Sequence, residues 1–143
     1  MAIKNQESGT TLRNRLSRSI VLAIRLLMEQ GAPGVESLDK VAFVVLALNK
    51  ISESVDMSAT AWEKRDYWVK ADAFRMEWEW TTNSAKGLHA ALLAENWQQI
   101  ASELIVVGQK LHKVQISPKN RIGEPWVGAW EALQKQDANK QAG

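Results

Sequence analysis

The residue types that could carry chemistry are few. Two histidines, His89 and His112, stand 23 positions apart, a separation that matches no metal-ligand spacing. There is no HExxH, no EF-hand loop, no Walker glycine loop and no GxSxG. Glu77 and Glu79 flank Trp78, but residues two apart on a helix point to opposite sides and cannot share a site. A di-metal bundle would need Glu-x-x-His pairs, and no Glu precedes a His by three. With no Cys, thiol chemistry and disulfides are excluded. Catalysis, metal and cofactor binding are therefore not expected. What is left is arginine, lysine and tryptophan, whose shared chemistry is binding.

The net charge of +2 hides a pattern. Residues 1–30 carry Lys4, Arg13, Arg15, Arg18 and Arg25 against Glu7 and Glu29, a balance of +3. Residues 109–143 carry Lys110, Lys113, Lys119, Arg121, Lys135 and Lys140 against Glu124, Glu131 and Asp137, again +3. That leaves −4 for residues 31–108. If the ends meet in the fold they make one basic face; otherwise these are solvated surface charges. Arg13, Arg15, Arg18 and Arg25 favour bidentate phosphate contact. Lys110, Lys113, Lys119 and Arg121 form a second basic segment, with Ser117 and Asn120 as hydrogen-bond donors. No base-reading motif accompanies them, so any nucleic-acid contact would be backbone-directed and salt-sensitive.

Seven Trp stand against one Tyr and two Phe. Trp62, Trp80, Trp97, Trp126 and Trp130 fall on apolar helix faces and are expected in the core. Trp68 and Trp78 are the candidates for a stacked base or a partner contact.

The elements that must position these residues read as helices throughout. A first helix spans about 11–30, with Leu12, Leu16, Ile20, Ala23, Ile24 and Leu27 on one face. Arg15, Arg18 and Arg25 lie on another. Gly31-Ala32-Pro33-Gly34 breaks it. A second helix, about 38–53, is apolar all round from Val41 to Leu48 and is expected to be buried. Thr60 with Glu63 has capping-box spacing and predicts a third helix, 60–80. That helix carries two apolar stripes, which predicts contact with two neighbours, and an Arg75–Glu79 pair. Helices at about 84–94 and 96–114 follow, the latter opened by Asn96 with Gln99. An irregular stretch, 115–124, precedes a terminal helix with Pro125 in its first turn. The whole chain, 1–143, is expected to be one all-α bundle of five to six helices, with polar, frayed ends at 1–9 and 134–143. The longest apolar run has eight residues, against roughly 20 for a membrane span, so a soluble, cytoplasmic protein is expected.

The arginine-bearing first helix, the aromatic-rich stretch Trp62 to Trp80 and the basic segment Lys110 to Arg121 together resemble the small all-helical subunit of CRISPR Cascade-type effector complexes. The resemblance lies in architecture and charge. It implies a non-enzymatic subunit, often present in several copies beside other protein subunits, whose basic face holds the displaced or target DNA strand or the guide–target hybrid. A protein–protein adaptor bundle, with Trp68 and Trp126 turned to a partner, is the other reading.

Overall fold

A computed structural model describes residues 7–142. Lys4 and the expected frayed residues 1–6 lie outside the described residues. Six helices follow one another: α1 (Gly9–Glu29), α2 (Val35–Glu63), α3 (Trp68–Trp78), α4 (Trp80–Leu93), α5 (Trp97–Lys110) and α6 (Ala129–Ala142). No strand occurs among the described residues. The all-α bundle is as expected.

α2 is the axis. Val41, Val44, Val45, Leu48 and Ile51 are fully buried, each worth about 1.5–3 kcal/mol by transfer from water. Around α2 pack α1, α3, α4 and α6, while α5 lies on α4 and α1. An apolar run with no polar side needs neighbours in every direction, and the other helices supply them.

Several boundaries differ from expectation; α5, for one, ends at Lys110 and not near 114, where the chain has already left the helix. α2 continues through Thr60 and Glu63, so their spacing marks the end of a helix, not the start of one. Val55 and Ala59 extend the buried stripe of Leu48 and Ile51 at three-and-four spacing, and the half-buried Trp62 continues it. The chain turns at Asp66, whose φ is 65°. Asp66 N–H donates to Glu63 O (3.0 Å) and Tyr67 N–H to Trp62 O (2.9 Å), a Schellman closure made without glycine. The end of α4 repeats it on Glu95, φ 51°, with Asn96 N–H donating to Ala91 O (3.0 Å).

α3 and α4 are separated by Glu79 alone, in helical conformation. Thr81, fully buried, donates its hydroxyl to Trp78 O (2.7 Å), the kind of local bond that bends a helix. α3 packs on α2 through Ala71, Phe74 and Trp78. Of the expected stripe Trp62, Val69, Ala73, Met76 and Trp80, only the two Trp are partly covered: Val69 and Met76 are 85% and 74% exposed, and Ala73 is exposed. Arg75 binds Glu63, Asp56 and Thr60 on α2 instead of Glu79, clamping α3 to the axis.

Pro125 lies in a turn, and α6 begins four residues later. Its start is capped from across the bundle. The Asp39 carboxylate of α2 accepts from Trp130 N–H (3.0 Å) and Gly128 N–H (3.3 Å). Nor is 134–143 frayed over its described part. α6 is helical to Ala142, and His89 on α4 meets Asp137 at 2.8 Å.

Candidate nucleic-acid interface

The first helix is amphipathic enough to present its cations outward, with one exception. Arg15, Arg18 and Arg25 are exposed. Arg13 is not; it is 7% exposed and belongs to the core, which corrects its assignment as a binding residue. Its Nη1 donates to Ser54 Oγ (3.1 Å), and its guanidinium lies 4.8 Å from the Phe74 ring centroid. Burial lowers its pKa, and the charge of Glu77 partly offsets this. One residue separates Arg13 from Arg15, and a helix turns about 200° over that step, which sends the two to opposite sides.

Arg15 is exposed but engaged. Its Nε and Nη2 donate to the two carboxylate oxygens of Glu7 at 2.8 and 2.9 Å. That pairing holds the Glu7 carboxyl below its ordinary pKa and raises that of Arg15. Arg18 and Arg25 make no ion pair among the described residues.

The two basic ends of the sequence do meet. α5 stops at Lys110, and residues 111–114 turn back over α1. Arg18, Lys110 and Lys113 line one open groove of about 620 Å³, together with Asn14, Ser17 and Gln115. Trp78 forms part of its wall. A second groove, about 230 Å³, adjoins it through the shared Leu111 and Val114, and is lined by Arg25 and His112. Four of the eight expected basic residues, Arg18, Arg25, Lys110 and Lys113, are thus brought to one continuous surface. Lys119 and Arg121 are exposed on the connection after α5 but line neither groove. Ser117 and Asn120 fold that connection: Ser117 Oγ accepts from Lys119 N–H, and Asn120 bonds Ser117 O and Ile122 N–H.

His112 joins the second groove, a placement that its spacing from His89 does not reveal. Its place in the turn after Lys110, four residues from Gly108, was the available signal. Its Nδ1 sits 2.9 Å from Gln109 O. A carbonyl only accepts, so Nδ1 carries a proton.

Trp68 is 56% exposed, beside Tyr67 (55%). Trp78 is half-buried, with Trp80 stacked at 6.4 Å and 24°. Trp126 is buried against Phe43 in an edge-to-face pair, with Lys40 Nζ 5.7 Å from its ring, and so cannot turn to a partner. Of the other four Trp expected in the core, all are half-buried.

Among the described residues no group of three or more His, Asp or Glu side chains converges to hold a metal ion. Among the described residues no helix is long and apolar enough to cross a membrane. Compared with protein families, curated proteins and solved structures, the chain finds no match.

Proposed function

We propose that this chain is a non-enzymatic subunit of a nucleoprotein assembly that holds a nucleic-acid backbone, of the kind found in CRISPR interference complexes. The observation that carries this reading is the groove in which Arg18 of α1 meets Lys110 and Lys113 beyond α5, with Trp78 on its wall. Cations from two distant parts of the chain converge where an aromatic ring is also accessible. Phosphates would pair with the cations and a base would lie on the indole. Single-stranded DNA, displaced or target, fits such a groove better than a flat basic patch would. The modest total charge suits a subunit that works beside other protein subunits, further copies of itself included.

A salt titration of single-stranded DNA binding tests it. About four neutralised phosphates give a log–log slope of about −3. Replacing Arg18, Arg25 and Lys113 by Gln should remove most of the binding and flatten the slope. Unchanged binding in that variant would defeat the reading.

One observation favours an adaptor role. Tyr67, Trp68, Val69 and Met76 expose apolar surface on or beside α3. Large exposed aromatics are typical partner anchors. The same triple Gln variant separates the two readings, because an adaptor would keep its partner when those cations are removed.

A further inference from the structure

The basic surface is bounded at both ends by acid. At one end stands Trp78, which lines not only the basic groove but also a neighbouring groove of about 580 Å³ on its other side. That second groove carries Glu53, Asp56 and Glu79. Its one cation among the described residues, Arg75, is already bound by Glu63 and Asp56. At the other end, one helical turn beyond Arg25, Glu29 opens a third groove that it shares with Glu36, Asp39 and Glu124, its cation Lys40 being buried over the Trp126 ring. Crossing either boundary, a phosphate chain passes from attraction to repulsion within a Debye length.

The distance between the boundaries follows from helix geometry. The basic grooves are lined along α1 from Asn14 to Arg25. At about 1.5 Å per residue this is about 16 Å. A strand stacked at about 3.4 Å per phosphate places about five nucleotides there.

Resting on the reading above, we infer that each copy of this protein holds a closed footprint of about five nucleotides of single strand, with the terminal base on Trp78 and the acidic grooves excluding the strand beyond. The surface is a short cradle, not a through-channel. A longer strand is held only by further copies, each taking its own segment.

The test uses oligothymidylates of about three to about fifteen nucleotides, with fluorescence anisotropy at low salt. Affinity should rise steeply up to about five nucleotides. Beyond that it should grow only in proportion to the number of registers on the strand, about elevenfold between about five and about fifteen nucleotides. The double variant Glu53→Lys, Glu79→Lys leaves the Arg75 clamp intact and should shift the plateau to longer oligonucleotides by two or more positions. Trp78→Phe, which retains a ring for packing, should weaken the shortest saturating oligonucleotide several-fold while leaving the salt slope unchanged. A steep rise that continues undiminished to the longest oligonucleotide, or a plateau unmoved by the double variant, overturns the closed footprint while leaving backbone binding standing. A Trp78→Phe variant that binds like the parent overturns the stacked terminal base. Absence of binding at every length overturns both this inference and the function it rests on.

Discussion

The guanidinium of Arg13 lies 4.8 Å from the ring centroid of Phe74, so a cation of α1 is stacked on an aromatic of α3. Its Nη1 reaches on to Ser54 of α2, which in turn donates to Ile51 O (2.7 Å). Three helices are joined at one buried charge. Gly9 permits the approach, since a Cβ there would stand 3.0 Å from Arg13 Nη1.

Arg13→Ala should therefore lower stability by about 2–3 kcal/mol, combining a lost cation–π contact and a lost charged hydrogen bond. Arg13→Lys should recover only part of this, because an ammonium cannot stack and bond as a planar fork does. Denaturant melts check both. At a temperature where the variants stay folded, DNA affinity should change less than twofold.

Asp39 caps α6 from α2. Asp39→Ala leaves two N–H groups without acceptors and removes a carboxylate from a helix N-terminus. The expected loss is about 1–2 kcal/mol. Hydrogen exchange should rise first in α6 and around Trp126, ahead of the rest of the bundle.

Asp66 and Glu95 hold positive φ at the ends of α2 and α4. An L side chain pays about 1 kcal/mol there, which glycine avoids. Asp66→Gly and Glu95→Gly should each raise the midpoint of urea unfolding, with a gain of about 0.5–1 kcal/mol apiece. The two sites lie in separate turns, so the gains should add.

The Glu63 carboxyl is held below its ordinary value chiefly by the hydrogen bond from Arg75, and Glu7 likewise by Arg15. A carboxylate with a lowered folded pKa gives stability that is complete above its unfolded pKa, about 4.3. That contribution disappears as the pH falls through the folded value. Thermal melts should show stability declining on acidification below about pH 5, and Glu63→Gln should flatten the decline. In the same variant the clamp loses its ion pair between Arg75 and Glu63, leaving Asp56 and Thr60, so α3 should exchange faster.

Much of this was legible in the sequence. Apolar runs marked α1 and the all-round burial of α2, and Asn96 marked the start of α5, where its side chain accepts from Gln99 N–H. The break after Glu63 was not legible. It is made by backbone hydrogen bonds around Asp66, with no glycine or proline to announce it. Capping-box spacing at Thr60 and Glu63 was misleading, because both side chains serve Arg75 across the turn. On the binding side, helical spacing alone separated Arg18 and Arg25 from the apolar face. It could not show that Arg13 would be drawn inward by Phe74 and Ser54, residues 41 or more positions away. Nor could it show that Arg15 would be taken up by Glu7.

The cap from Asp39 to Trp130 also orders events during synthesis. α2 emerges early, with its apolar circumference complete. The helix that covers its Asp39 end, α6, leaves the ribosome after the other five described helices. Until then Phe43 lacks Trp126, and this side of α2 stays open to other chains. A chaperone has its best opportunity in that interval.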